Sequence, residues 1–124
     1  MRIQWRSAIL MAVVSLIPAL MRAQEPTVYT PGDGVSLPVV TRQVRPQYTP
    51  EAMQNRIEGS VGLSAVVLAA GTVGEVKVVQ SLDTVHGLDA EAVKALKQWE
   101  FKPGTKDGKA VAVRVTVNLT FTLK

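Results

Sequence analysis

Cysteine is absent from this chain of 124 residues, and histidine occurs only once. Without cysteine the chain has neither a disulfide framework nor a residue for a lipoprotein anchor. One histidine among scattered carboxylates does not supply the three or four ligands that zinc requires, and no serine–histidine pair lies in a nucleophile-elbow context. We therefore expect no metal, no cofactor and no enzymatic activity.

A long hydrophobic run is also lacking. The uncharged apolar segment 7–21 is bounded by Arg6 and Arg22, and it is shorter than the roughly 20 residues of a membrane-spanning helix. A basic start, a short apolar run and a small residue at Ala23 are typical of a secretory signal peptide. We expect residues 1–23 to be a signal peptide cleaved after Ala23, with a short inner-membrane anchor as the alternative.

Beyond residue 23 the chain has almost no net charge. Three of its 14 lysine and arginine residues lie in the targeting segment, which leaves 11 basic against 10 acidic residues. These charges are interleaved and do not form the clustered basic face of a nucleic-acid-binding protein. The sequence therefore indicates one small domain outside the cytoplasm that does not bind nucleic acid.

The segment after the signal peptide contains no regular period, because prolines and glycines interrupt it at positions 26, 31, 32, 34 and 38. We expect residues 24–42 to be a flexible connector with a reach of at most about 60–65 Å. The folded domain is expected over residues 43–124.

Strict alternation predicts the strands. Every odd position from Val111 to Leu123 is apolar, and the even positions from Arg114 to Lys124 are polar. This pattern predicts one long strand with a buried and a solvated face. A second alternation over residues 61–67, a turn at 70–72 and a return strand with Val76 and Val78 predict an antiparallel hairpin.

Residues typical of helix ends predict two helices. Thr49 followed by Pro50 is typical of an N-cap and a first helical residue, and Gly59 is typical of a helix stop, so a helix is expected over residues 50–58. Asp89 is predicted to be the N-cap of a second helix whose apolar stripe ends at Trp99.

Most aromatic side chains and the only histidine receive structural interpretations. Trp99 and Phe101 are expected in the core, because a large ring on the apolar side of a small domain contributes much of its burial. Tyr48 is assigned equally to the core and to a contact surface. The segment around His86, between Asp83 and Asp89, is expected to be a solvated turn.

Connection rules restrict the topology. A helix between the second and third strands returns the chain parallel to the second strand, so an antiparallel sheet requires the third strand to pair with the first. The fold class is therefore α+β, with a three-stranded antiparallel sheet of order 2-1-3 and two helices packed on one face. This order leaves the terminal strand at an edge of the sheet.

These pieces together resemble one known family. The resemblance covers residues 35–123 and rests on short motifs in a fixed order. They are Pro46-Gln47-Tyr48, Ile57-Glu58-Gly59, Ala70-Gly71, Leu88-Asp89-Ala90, the segment Trp99 to Gly104, Asp107-Gly108-Lys109 and the alternating terminal strand. In this arrangement the chain resembles the TonB C-terminal domain.

The resemblance implies a periplasmic domain that binds the TonB box, a short extended peptide of an outer-membrane receptor, during transport across the outer membrane. In the family the terminal strand pairs with the box, and the segment before the first helix also touches it. An unpaired strand edge offers backbone donors and acceptors to such a peptide. The resemblance therefore implies a binding site at Arg45, Gln47, Tyr48, Arg114, Val115, Thr116, Val117, Asn118 and Leu119.

The chain departs from the well-known family members in two respects. They have glutamine at the position of Arg45, and an arginine there suggests pairing with an acidic residue of the box. They also have a membrane helix that contacts the ExbB and ExbD motor, followed by a long proline-rich spacer, so coupling to this motor is expected only if residues 1–23 remain as an anchor. The alternative function is a non-transducing envelope adaptor, or a module that dimerises through its edge strand.

Overall fold

The computed structural model describes residues 27–32 and 34–123. The predicted signal peptide or anchor at residues 1–23 lies outside the described residues. Within them the elements are β1 (Val28–Tyr29), β2 (Val39–Arg42), α1 (Pro50–Gln54), β3 (Gly59–Val67), β4 (Val73–Gln80), α2 (Leu88–Leu96), β5 (Glu100–Lys102), β6 (Thr105–Lys106), β7 (Lys109–Ala110) and β8 (Ala112–Phe121).

The three long strands form the sheet that the alternation predicts. β3 lies in the middle and pairs antiparallel with β4 on one side and with β8 on the other. Its register places Val61 opposite Leu119 and Leu63 opposite Val117. Since the apolar residues of both strands occupy odd positions, this register brings them to the same face. The predicted order 2-1-3 is confirmed for these strands.

The sheet has one strand more than the sequence predicts. β1 pairs parallel with the start of β8, Val28 with Ala112 and Tyr29 with Val113, so the sheet has the order β1-β8-β3-β4 and is not wholly antiparallel. The ammonium group of Lys106 lies 4.9 Å from the centre of the Tyr29 ring. A strand of two residues is too short for an alternating pattern, and this explains why the sequence did not reveal it.

Two further pairs of short strands complete the described part. β2 pairs antiparallel with β5, and β6 pairs antiparallel with β7. Like β1, β2 lies in the segment where prolines and glycines predicted a connector. Arg42 of β2 donates a hydrogen bond to the Glu100 carboxylate of β5, with 3.1 Å between Nη1 and Oε2. The part of the connector nearest the domain therefore packs against it.

The first helix begins as predicted but ends early. The Thr49 hydroxyl accepts a hydrogen bond from the backbone N–H of Ala52, as expected of an N-cap. The helix ends at Gln54, because Asn55 leaves helical geometry and Arg56 adopts the left-handed conformation, with φ of 53°. The prediction that Gly59 terminates this helix is wrong, since Gly59 is the first residue of β3.

The second helix begins at Leu88, after Gly87, and the prediction that Asp89 is its N-cap is wrong. The Asp89 carboxylate turns back and accepts hydrogen bonds from the backbone N–H groups of Leu82 and Asp83. The Asp83 carboxylate accepts the N–H of Leu88 at the start of the helix. Both aspartates are buried. The segment is therefore an ordered helix entry; Val85 at its tip is 82% exposed, as expected of a solvated turn, but the two aspartates are not solvated.

Hydrogen bonding sets the titration of these two carboxyl groups. For Asp83 and Asp89 alike, burial alone would raise the pKa, but hydrogen bonds that favour the charged form outweigh it and lower the pKa below its ordinary value. For Asp83 these bonds come from His86, Leu88 and Val85, and for Asp89 mainly from the Asp83 backbone N–H and the Ser81 hydroxyl.

This arrangement predicts acid sensitivity. Because the folded-state pKa values lie below those of the unfolded chain, the stabilisation is present above about pH 4 and is lost as the pH falls through the folded-state values. Urea unfolding between pH 2 and pH 7 is expected to show a smaller acid-induced loss of unfolding free energy in Asp89→Asn than in the wild type. The exposed Asp107→Asn is the matched control, and equal acid profiles for all three proteins would contradict the assignment.

The core lies between the sheet and α2. Its fully buried side chains include Leu63 of β3 and Leu88 and Leu96 of α2. Trp99 and Phe101 are each 7% exposed, which confirms their prediction as core residues. The opposite face of the sheet is more polar, and there the Ser60 and Thr120 hydroxyl oxygens lie 2.8 Å apart.

Candidate functional site

The outer edge of β8 is only partly covered. β1 pairs with its first two residues, and within the described ranges 27–32 and 34–123 no strand pairs with the outer side of residues 114–121. Along an edge strand, alternate residues direct their backbone N–H and C=O groups away from the sheet. The structure therefore leaves the outer backbone edge unpaired at Arg114 to Leu119, the part of the strand that the resemblance indicated.

A groove of about 440 Å³ lies beside the second half of this edge. One wall is the chain segment that precedes α1, and the other is the end of β8. The lining residues are Gln43, Val44, Arg45, Pro46, Trp99, Asn118, Leu119 and Thr120.

Trp99 lines the groove and is bonded to the wall that precedes α1. Its indole Nε1 donates a hydrogen bond to the Val44 carbonyl oxygen at 2.9 Å. Trp99 and Leu119 are apolar residues that line the groove, and each is only 7% exposed. Sequence reasoning identified Trp99 as a core residue but missed its contribution to the groove. The available signal was its polar indole N–H, which normally finds a partner when the ring is buried.

The structure brings three of the predicted site residues together. Arg45, Asn118 and Leu119 all line this groove, although Arg45 is far from the other two in sequence. Arg45 is exposed, so its guanidinium group is accessible at the groove. Gln47 does not line this groove; it lines a neighbouring cavity of about 320 Å³ that Arg45 shares with Glu91 and Lys94 of α2.

Tyr48 has a mainly structural environment. Its ring meets that of Phe121 edge-on, with 5.4 Å between the ring centres, and its hydroxyl donates a hydrogen bond to the Ile57 carbonyl. Desolvation, together with the nearby Glu58 carboxylate, raises the pKa of Tyr48. These contacts hold Tyr48 against the end of β8 and the loop after α1, and it does not line the groove.

The remaining predicted residues alternate between the two faces of β8. Val115 and Val117 are half-buried and pack against the core. Thr116 is exposed on the opposite face. Arg114 lies on that face too, with its Nη1 3.4 Å from the Ser64 hydroxyl and 3.8 Å from Glu75 Oε1. The side chains of residues 114–117 therefore point alternately to the two faces of the sheet, while their backbone forms the edge.

A third cavity, of about 510 Å³, lies next to β1. Its lining is largely apolar and includes Tyr29, Leu68 and Val111. Within residues 27–32 and 34–123, no group of three or more histidine, aspartate or glutamate side chains is placed to hold a metal ion. No helix in the described part of the chain is long and apolar enough to cross a membrane.

The fold and the site define a small α+β domain with an accessible strand edge beside a groove. The family described as "Gram-negative bacterial TonB protein C-terminal" matches residues 44–123. The chain therefore belongs to the TonB C-terminal family, which confirms the resemblance found in the sequence.

Individual relatives agree with this assignment. The chain is 35% identical over 86 residues to "Protein TonB" of Vibrio cholerae and 40% identical over 78 residues to "Protein tonB2" of Pseudomonas aeruginosa. These alignments cover 69% and 63% of this chain but only 35% and 28% of the two relatives. The solution NMR structure of the Pseudomonas aeruginosa TonB CTD superimposes with a TM-score of 0.57 at 25% identity, covering 77% of this chain and 93% of that one.

Proposed function

We propose that this domain binds an extended peptide of an outer-membrane receptor as an additional strand along Arg114 to Leu119. The observation that supports the proposal most directly is the accessible edge of β8 beside the groove formed by Arg45, Trp99 and Leu119. Such a TonB-type domain acts in the periplasm and takes part in transport across the outer membrane. It has no catalytic role in this proposal.

The geometry determines what kind of peptide fits. Six residues of an extended strand span about 20 Å, and their backbone groups pair with the edge whatever the peptide sequence. Selectivity then comes from the side chains that point alternately to the two faces of the extended sheet. At the end near Leu119 the groove offers an apolar lining from Trp99 and a positive charge from Arg45. A peptide with an apolar and an acidic residue at that end satisfies both.

The proposal is tested by titrating a synthetic box-like peptide, an extended peptide with an apolar and an acidic residue at one end, into the full chain. NMR shifts are expected to concentrate at the backbone amides of residues 114–119. A peptide N-methylated at alternate positions is the sharpest probe, because it has lost the donors facing the edge while its side chains are unchanged. It is expected to bind at least about tenfold more weakly than a peptide methylated at the intervening positions. Equal affinity of the two methylated peptides would contradict strand addition.

Charge reversal tests the contribution of Arg45. Arg45→Glu is expected to weaken binding of an acidic peptide by about threefold to tenfold, because an exposed ion pair is replaced by repulsion. The same variant should leave the affinity for a neutral peptide unchanged. Arg56→Glu, an exposed arginine that does not line the groove, is the matched control. Equal effects on acidic and neutral peptides would contradict the proposed pairing.

The role of the whole protein in the envelope depends on residues 1–23. If they are retained as an anchor, coupling to ExbB and ExbD becomes part of the proposal. If they are removed after Ala23, the domain is a soluble periplasmic adaptor with the same peptide site on residues 43–124. N-terminal sequencing of the exported protein distinguishes these two arrangements.

A further inference from the structure

The outer edge of β8 is occupied at one end by the chain itself. β1 pairs parallel with Ala112 and Val113, the first two residues of β8, and it lies on the side of β8 opposite β3. This is the side to which the proposed function adds a guest strand. The guest and β1 therefore share one edge, and the boundary between them falls at Arg114.

The chain leaves this edge immediately after β1. Pro31 comes two residues after Tyr29, and a proline has no backbone N–H to donate to a neighbouring strand. Gly32 follows with φ of 123°, a conformation that favours glycine. These two residues turn the chain away from β8, so β1 ends where the unpaired part of β8 begins.

Contacts with β6 hold β1 and the residues that follow it. The Lys106 ammonium group lies over the Tyr29 ring. Val35 forms an antiparallel bridge with Lys106, and the Ser36 backbone N–H donates a hydrogen bond to the Thr105 carbonyl oxygen at 2.8 Å. The Ser36 hydroxyl accepts a further hydrogen bond from the Thr105 N–H, also at 2.8 Å. The segment is therefore fixed on both sides of its turn.

We propose that β1 is a stop, a segment past which the guest strand cannot pair with β8, and that it fixes the register of the guest. The guest pairs with Arg114 to Leu119 and ends, or turns away from the sheet, at Arg114. This inference rests on the proposed function, because it concerns the same edge. The partner it selects is an extended segment of about six residues that is followed, at the end beside Arg114, by a chain terminus or a turn-forming residue such as glycine or proline.

Backbone pairing alone does not determine the register of a guest strand. The donors and acceptors of an edge repeat along the strand, so a guest displaced by two residues makes equivalent hydrogen bonds. A slip of one residue directs every guest side chain to the other face of the sheet. A fixed end removes these alternatives. It also determines which guest residue lies beside Leu119, at the groove that Arg45 and Trp99 line.

A guest gains little by displacing β1. If it extended over Ala112 and Val113, it would replace the pairing of β1 by equivalent backbone pairing, and Tyr29 would lose its contact with Lys106. Because β1 belongs to the same chain, its effective concentration at this edge is in the millimolar range of short linkers, far above that of a free peptide. β1 therefore remains in place while the guest binds.

A length series of peptides tests the stop. The box-like peptide, made with six residues, is compared in NMR titrations of the full chain with peptides extended by two residues at either terminus. A nitroxide label at one terminus broadens nearby amides and identifies the terminus beside Arg114. Extension at that terminus is expected to change the wild-type affinity by less than about twofold, below the effect of one net hydrogen bond. The NOEs between β1 and β8 are expected to persist.

Disruption of β1 should lengthen the available edge. The double variant Val28→Pro with Tyr29→Pro loses both N–H donors of β1 and the ring beneath Lys106. The extension beside Arg114 should tighten binding to this variant by at least about fivefold, the effect of one net hydrogen bond, with new shifts at Ala112 and Val113. Because β1 lies outside the core cluster, the variant should fold, and the wild-type series is decisive without it.

Two controls and three contrary outcomes complete the test. Tyr29→Phe retains the ring and should behave as the wild type, and extension at the opposite terminus should have the same effect on the wild type and the double variant. A wild type that gains about fivefold affinity from the extension beside Arg114, or loses the NOEs between β1 and β8, would overturn the stop but not strand addition. So would a folded double variant that gains nothing. A six-residue peptide that binds neither protein would contradict the proposed function, and the stop with it.

Discussion

Trp99→Ala is expected to lower the free energy of unfolding by about 3–5 kcal/mol, the usual cost of removing a large buried aromatic ring. Trp99 is 7% exposed and packs beside Phe101, with 6.1 Å between the ring centres. Its removal also deprives the Val44 carbonyl of its hydrogen-bond donor. Urea unfolding followed by circular dichroism measures the change.

Trp99→Phe separates packing from hydrogen bonding. Phenylalanine retains an aromatic ring but lacks the indole N–H, so the expected loss is about 1–3 kcal/mol, close to the cost of an unsatisfied buried acceptor. Because the lost bond holds the groove wall at Val44 to Trp99, this variant should also bind the box-like peptide more weakly than its stability alone predicts. Unchanged peptide affinity in a folded Trp99→Phe protein would contradict the role of Trp99 in shaping the groove.

Gly71→Ala is expected to destabilise the domain by about 2–5 kcal/mol, from two causes that act together. Gly71 has φ of 90°, a conformation that alanine adopts only with strain. A Cβ atom at this position would also lie 2.3 Å from the Phe101 carbonyl oxygen. The same glycine accepts a hydrogen bond from the Phe101 backbone N–H at 2.8 Å, so the contact joins the β3–β4 turn to β5.

Gly108→Ala is the matched control for this prediction. Gly108 also has a positive φ, 77°, but a Cβ atom there would meet no heavy atom within 4 Å. Its expected cost is therefore the conformational part alone, about 1–2 kcal/mol. Thermal and urea unfolding of both variants measures the difference. Equal destabilisation by Gly71→Ala and Gly108→Ala would show that the close approach of residue 71 to Phe101 does not contribute to the loss of stability.

Local patterns in the sequence predicted the centre of the fold. The alternation along 61–67 and 111–123 identified β3 and β8, and Thr49 with Pro50 identified the start of α1. These signals are reliable because each depends on neighbouring residues, through side-chain period or capping geometry. The order of the long strands then followed from connection rules alone.

Features that depend on distant or very short contacts were not predictable in the same way. β1 has only two residues, and its contacts are with distant parts of the chain, among them Lys106 over the Tyr29 ring. Aspartate is a residue type favoured at helix N-caps, yet the Asp89 carboxylate accepts a hydrogen bond from Leu82 in the preceding loop. Arg45 was assigned to the site only through the family resemblance, because no local sequence pattern relates Arg45 to Leu119. The Trp99 contribution depends on a hydrogen bond between residues 55 positions apart.

The parallel pairing of β1 with β8 has a mechanical consequence. Val28 and Tyr29 lie against the first two residues of β8, so a guest strand at Arg114 to Leu119 would continue along the same line. Tension applied between the chain before Thr27 and such a guest would run along the length of β8. The interstrand hydrogen bonds along the outer side of β8 would then be loaded together in shear instead of being broken one after another.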